Sequence, residues 1–134
     1  MSDHDHAHDL LAMSFGDIRA LRGMVKSVAE NPEDDFFTDE VFGFQAQQAT
    51  EKILKARIAS LGGYYAKTHD IMALLNSLND LGEDVSDLTD LVDLNLFAVQ
   101  YRYESYGLDD EEIDRYALLA TVEELFLKMK ERIG

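Results

Sequence analysis

Apolar residues recur every three or four positions along most of the chain, which is the spacing of one face of an α-helix. In the first such stretch, about residues 9–30, Leu11, Ile18, Leu21 and Val25 fall on one face. No segment alternates apolar and polar residues between hairpin turns, as a half-buried β-strand does. The pattern therefore predicts an all-α fold, an antiparallel helical bundle of four long helices plus one short helix.

Proline, glycine and capping residues indicate where the helices begin and end. Asn31–Pro32 ends the first helix, because the residue before a proline avoids the α conformation. Gly62–Gly63 ends the second helix. Three helices follow a residue whose hydroxyl can cap them, namely Thr38, Thr68 and Ser86. We predict helices over about residues 9–30, 39–61, 71–78 and 86–106, and a last helix that buries residues between 118 and 133.

The length and composition indicate one globular domain. The 134 residues, 46% of them hydrophobic, suffice for a packed core. We expect residues 1–8 to be a flexible tail and residues 9–134 to be a single helical domain. The absence of cysteine excludes disulfides, thiolate metal sites and cysteine nucleophiles. No apolar run approaches a membrane span and nothing resembles a secretory signal, so we expect a cytoplasmic protein without membrane contact.

The chain is strongly acidic. Its formal net charge is −15, from 27 acidic and 12 basic side chains. Such a surface repels phosphate backbones, so broad nucleic-acid binding is disfavoured. No Lys or Arg occurs from Thr68 to Tyr101, so the cations are concentrated elsewhere and could form a local basic site. The alternative is a solvated acidic surface that aids solubility.

Common catalytic and cofactor-binding motifs are missing. There is no Glu-x-x-His pair of the kind that builds a di-iron site in a helical bundle. The sequence also lacks a Gly-x-Ser-x-Gly elbow, a phosphate-binding loop ending in Gly-Lys-Ser/Thr and a His-Glu-x-x-His motif. We therefore expect no bound cofactor and no enzyme of these classes.

Three N-terminal histidines, His4, His6 and His8, alternate with aspartates, a pattern that resembles a transition-metal chelator. Alternate residues share a face only in an extended segment, and no surrounding side chains would hold the ligands in place. We expect a solvated tail, with a metal site at these histidines as the alternative.

The second helix carries a local group of charges at Glu51, Lys52 and Lys55. Glu51 and Lys55 are four residues apart, in the order that favours an ion pair. Lys52 and Lys55 are three apart, so both amines could reach one phosphate group. An ordinary solvated helix face is the alternative.

Residues 42–75, FGFQAQQATEKILKARIASLGGYYAKTHDIMALL, resemble the signature region of HEPN domains. In that family a helix with a Glu-Lys-x-x-Lys-Ala element is followed, after a glycine-containing link, by Thr-His-Asp/Ser and an apolar helix. The matching residues here are Phe44, Gln48, Glu51, Lys52, Lys55, Ala56, Thr68, His69 and Asp70. A second match is Tyr101-Arg102-Tyr103, although Glu104 stands where many members have proline.

The resemblance implies a helical domain associated with nucleotides or RNA. Such domains often act beside a nucleotidyltransferase or within a toxin–antitoxin pair, and they commonly form homodimers. Members with ribonuclease activity carry an Arg followed, after four to six residues, by a His. After Arg102 the corresponding positions hold Gly107, Leu108 and Asp109. RNA cleavage needs an imidazole to move a proton near neutral pH, and tyrosine, with a pKa of ~10, is a poor substitute.

The signature also sets an expectation for Thr68, His69 and Asp70. Thr68 is predicted to cap the third helix, and Asp70 complements the helix dipole. The positive end of that dipole favours a neutral His69, which we expect to be hydrogen-bonded between neighbouring helices. A ligand contact by His69 is the alternative. With Glu51, these three residues form the expected structural signature.

We therefore expect a non-catalytic HEPN-like domain that binds a nucleotide or a partner protein such as a nucleotidyltransferase. Lys52, Lys55, Arg102 and Tyr103 are the residues expected to contact a phosphate or a nucleobase, the arginine through a charge-assisted fork and the tyrosine by stacking. A homodimer is expected. Two alternatives stay open: a homodimeric interaction protein with no ligand, and a divergent HEPN ribonuclease toxin.

Overall fold

A computed structural model of the protein describes residues 3–31, 38–65, 67–97 and 113–134. Its elements, in chain order, are α1 (Asp3–Glu30), α2 (Asp39–Ser60), α3 (Ile71–Asp80), a 3₁₀ helix (Thr89–Leu94) and α4 (Arg115–Ile133). No β-strand occurs in these four stretches. The all-α fold predicted from the apolar spacing is confirmed.

The second helix, α2, is the central element. It packs against α1, α3, the 3₁₀ helix and α4. Its core-facing positions alternate small and large residues, and Ala46, Ala49 and Ile53 have no exposed surface. Small side chains let a neighbouring helix approach closely, and the larger ones fill the space between the helices. This alternation allows α2 to occupy the central position in the bundle.

The first helix begins earlier than the sequence suggests. Residues 3–8, expected to be a flexible tail, are the first turns of α1. Ala7 is fully buried, and Leu10 and Leu11 are buried beside it, at the spacing of one helix face. These residues form a small second core with Ala56, Ala59 and Ile133, where α1 meets the C-terminal ends of α2 and α4. The polar alternation of His and Asp suggested a solvated tail, but the burial of Ala7 within it stabilises these residues as part of the helix.

The caps of α2 and α3 show one correct and one wrong prediction. The Thr38 hydroxyl accepts a hydrogen bond from the Val41 amide at 3.2 Å and caps α2, as predicted. At α3 the capping residue is Asp70, whose carboxylate accepts from the Met72 amide at 2.9 Å. Thr68 lies two residues before Asp70, and its hydroxyl accepts a hydrogen bond from the Asp70 amide at 3.0 Å. Thr68 therefore supports the cap without being the cap.

The segment predicted as an α-helix over residues 86–106 starts instead as a 3₁₀ helix at Thr89, and Ser86 does not cap it. The buried residues here are spaced by three, which matches the three residues per turn of a 3₁₀ helix: Leu88, Leu91, Leu94 and Phe97. Leu96 lies outside this spacing and is 52% exposed. Residues 98–112, which include Arg102 and Tyr103, lie outside the described residues.

A carboxylate fixes the turn after α3 to two other helices. Glu83 accepts hydrogen bonds from Arg57 of α2 and from Arg132 of α4, both at 2.7 Å. The bond from Arg57 holds the pKa of Glu83 below its ordinary value. Arg57 also donates to the Arg132 backbone carbonyl at 3.2 Å, so the ends of α2 and α4 are joined directly.

Gly43→Ala should lower the free energy of unfolding by about 1–3 kcal/mol, because inserting a group into a filled core forces its neighbours to move. Gly43 of α2 lies directly against the ring of Phe97, and a Cβ there would overlap the ring atoms. Urea denaturation followed by circular dichroism measures the change.

Gly23→Ala is the matched control for Gly43→Ala. Gly23 is also inside a helix, but apart from its chain neighbours and the backbone of its own helix turns, no described atom lies within 4 Å of the position its Cβ would take. Alanine should therefore stabilise the protein by about 0.5–1 kcal/mol through helix propensity alone. Equal stability of the two variants would contradict the proposed close packing at Gly43.

Candidate functional site

Two of the residues that match the HEPN signature, Lys55 and His69, contact a third, the buried carboxylate Glu51. Its side chain lies on α2 and is only 6% exposed. Lys55 donates to it at 2.7 Å and Gln47 at 2.9 Å. The Nδ1 atom of His69 lies 3.0 and 3.1 Å from its two oxygens. We call Gln47, Glu51, Lys55 and His69 the Glu51 cluster.

Helix periodicity explains three members of the Glu51 cluster. Gln47, Glu51 and Lys55 are separated by four residues each, so they lie on the same face of α2. The fourth member comes from the link between α2 and α3. Gln47 also donates to the backbone carbonyl of His69 at 3.0 Å, which fixes that link to the helix.

His69 is hydrogen-bonded, as expected, but its partner and surroundings differ from the prediction. It lies before the cap of α3 and pairs with a carboxylate of α2, so it does not bridge two helices. Its side chain is 55% exposed. The Nε2 atom has no hydrogen bond to any residue in the described part of the chain.

The pKa of Glu51 shows why this buried carboxylate stays charged. Burial by itself raises the pKa, but hydrogen bonds from Lys55, His69 and Gln47 together outweigh burial and hold it below the ordinary value of 4.5. Glu51 is therefore ionised at neutral pH, and the ammonium group of Lys55 balances its negative charge. A carboxylate in this state holds its donors in place and is a poor proton acceptor near pH 7.

The two lysines proposed as phosphate ligands have different partners. Lys52 donates to Asp17 of α1 at 2.7 Å, and Asp17 also accepts from Gln45 at 2.7 Å. Lys55 donates to Glu51. The side chains of Lys52 and Lys55 are only 22% and 14% exposed. Each amine is thus engaged by its own carboxylate, and the structure does not direct the pair toward one phosphate.

A tyrosine connects the Glu51 cluster to the start of α1. The Lys55 ammonium lies 5.5 Å from the centre of the Tyr65 ring. The Tyr65 hydroxyl is hydrogen-bonded to Nε2 of His6. Burial raises the pKa of Tyr65 above its ordinary value, so the phenol stays protonated. This contact explains how the first turn of α1 is held beside the link after α2.

The three N-terminal histidines do not form one site. His6 points to Tyr65, whereas His4 and His8 face each other one helical turn apart. In the described residues no group of three or more His, Cys, Asp or Glu side chains is arranged to hold a metal ion.

An apolar groove runs between α1 and α4. Its volume is about 670 Å³, and its walls include Leu11, Phe15, Phe126 and Leu127. The rings of Phe15 and Phe126 are 5.4 Å apart, and Leu127 is 63% exposed. The sequence pattern did not predict the contribution of α1 to this groove. Phe15, which lies beside the main apolar stripe of α1, was the available signal.

Comparison with known families identifies the fold. The HEPN domain model matches residues 27–132. That range contains α2, the link and α3, so it includes the Glu51 cluster. The chain belongs to the HEPN domain family. No curated protein and no solved structure gave a significant match. Among the described residues, no helix is both long enough and apolar enough to cross a membrane.

Glu51→Gln should lower the free energy of unfolding by about 3 kcal/mol, because it leaves a mostly buried ammonium without its counter-charge. Glu30→Gln is the matched control. Glu30 pairs with Lys26 four residues away, but those side chains are 62% and 77% exposed. The control should change stability by less than about 0.5 kcal/mol. Chemical denaturation at pH 7 measures both; similar losses would contradict a special role for the buried carboxylate.

The stability difference between wild type and Glu51→Gln should shrink in acid. The folded-state pKa of Glu51 is lower than the ordinary value of 4.5. Its stabilising contribution is therefore complete above about pH 4.5 and is lost as the pH falls through the folded-state pKa. Thermal denaturation of both proteins between pH 7 and pH 3 measures this difference. A gap that stays constant over this range would contradict the assignment.

Proposed function

We propose that this protein is a non-catalytic HEPN domain that works by binding a protein partner. The sequence has four histidines, at positions 4, 6, 8 and 69, and none follows an arginine at the spacing of the ribonuclease motif. Without that imidazole, the motif lacks the group that moves a proton near neutral pH. His69 does not replace it, because it follows no arginine at the motif's spacing and its Nδ1 atom is paired with Glu51.

The apolar groove between α1 and α4 is the observation that carries this proposal. Leu127 and Phe15 expose apolar surface at a place where the two helices leave a concave space. Exposed apolar surface of this kind, rimmed by polar residues, is typical of protein interaction sites. The rim carries both signs of charge, with Lys130 and Glu131 lining the groove.

A protein partner is also favoured over a phosphate ligand. Lys52 and Lys55 are each paired with a carboxylate, so a phosphate would have to displace Asp17 or Glu51. Displacing Glu51 would strand a buried charge, which costs several kcal/mol. Arg102 and Tyr103 remain the residues proposed to contact a nucleotide, as a secondary function beside the partner surface.

Two partners fit this domain: a second copy of the chain and a nucleotidyltransferase-type protein of the kind found beside other HEPN domains. Binding to these two partners should respond to salt in opposite directions. Two copies each carrying a net charge of −15 repel one another, so self-association should strengthen as salt screens the repulsion. A partner held by charge complementarity to this acidic surface should instead bind more weakly as salt rises.

Leu127→Glu should abolish partner binding without unfolding the protein, because the side chain is already 63% exposed. Met72→Glu, at a 41% exposed position on α3 away from the groove, is the control. Sedimentation velocity at low and high salt measures self-association of the wild type and both variants. The same measurement is made after co-expression with a nucleotidyltransferase encoded by a neighbouring reading frame.

Three results would contradict the proposal. The first is a wild type that stays monomeric at every salt concentration and binds no co-expressed nucleotidyltransferase. The second is equal loss of binding in Leu127→Glu and Met72→Glu. The third is RNA cleavage by the wild type that disappears in Arg102→Ala, which would restore the ribonuclease interpretation. Titration with ATP, GTP and short RNA tests the secondary function, and no binding at millimolar ligand would remove it.

A further inference from the structure

His4 and His8 form a pair that neither the fold nor the proposed function uses. They lie four residues apart in α1, and their Nε2 atoms are 2.9 Å from each other. The two rings meet edge to face with centroids 4.4 Å apart. Both residues are exposed. The pair is therefore accessible to a solute, and its two Nε2 atoms are within hydrogen-bond distance of each other.

Two imidazoles at this spacing are a chelating arrangement. Histidines four residues apart on a helix lie on the same face and can bind one metal ion, as in His-Glu-x-x-His sites. A tetrahedral ion with bonds of about 2.0–2.1 Å to nitrogen needs the two nitrogens about 3.3 Å apart. Small rotations of two exposed rings open the present 2.9 Å separation to that value.

We propose that His4 and His8 bind one divalent transition-metal ion of the Zn²⁺ class through their Nε2 atoms. Imidazole nitrogen is a ligand that suits zinc and its neighbours and does not suit Mg²⁺ or Ca²⁺. Water fills the remaining coordination positions. His6 takes no part, because its Nε2 atom is bonded to the Tyr65 hydroxyl on another side of the helix.

The charges around the pair favour a cation overall. The first turns of α1 carry three acidic residues, Asp3, Asp5 and Asp9. Negative side chains raise the local concentration of cations. His8 also lines the groove, whose other lining residues include Glu131 and Lys130, with opposite charges.

Metal binding would stabilise the start of α1. This part of the helix buries Ala7 and Leu10 against the ends of α2 and α4, in the small second core. An ion that bridges two successive turns favours the helical state of the segment, and binding to the folded state alone raises stability by mass action. The inference rests on the geometry of α1 and is independent of the proposed partner surface.

The test is isothermal titration calorimetry of the 134-residue chain, without a tag, with ZnCl₂. The wild type should bind one ion per chain, and His4→Ala and His8→Ala should each lose this binding. His6→Ala is the matched control and should keep it. A large excess of Mg²⁺ should not displace the zinc, because carboxylates, and not imidazoles, are the ligands Mg²⁺ prefers.

Hydrogen exchange provides a second, structural measurement. Zn²⁺ should slow amide exchange in residues 3–11 of the wild type and of His6→Ala, and should leave exchange in His8→Ala unchanged. No calorimetric binding by the wild type would overturn the proposal. Full binding by His4→Ala and His8→Ala, or displacement of the ion by Mg²⁺, would also overturn it, since either result assigns the metal to surface carboxylates.

Discussion

The close approach of α2 to its neighbours is the constraint on which the rest of the structure depends. Every other described element packs against α2, and it can do so because fully buried alanines alternate with larger residues along the helix. Gly43 extends the same principle, since the Phe97 ring occupies the space that a side chain would need. A helix with larger residues at these positions would hold its neighbours farther away and leave voids between them.

Glu51 also makes α2 the attachment point for the link that leads to α3. A buried carboxylate is stable only when its charge is matched and its oxygens accept hydrogen bonds. Gln47 and Lys55 supply these from α2 itself, and His69 supplies one from the link to α3. In this chain, the signature residues Glu51 and His69 therefore hold the link between α2 and α3 against α2. Glu51, Lys55 and His69 thus engage one another, whereas Lys52 pairs with Asp17 of α1.

Surfaces whose groups are not already engaged within the domain are the ones available to bind a partner or an ion. The lysines of α2 are neutralised by Asp17 and Glu51, whereas the groove between α1 and α4 exposes apolar surface. α1 contributes one wall of that groove and also carries the His4–His8 pair. The His4–His8 pair depends on α1 being helical from its first turn, whereas the groove uses α1 from His8 onward.

The sequence by itself determined the all-α class, the family, the end of α1 and the approximate bounds of α2 and α3, because apolar spacing and capping residues are local properties of the chain. It predicted that Glu51 and Lys55 would pair, since residues four apart on a helix are neighbours. It could not place His69 against Glu51, extend α1 to Asp3 or set Phe15 beside Phe126. Each of these contacts joins residues whose proximity or burial depends on how the helices pack, and only the tertiary structure decides that.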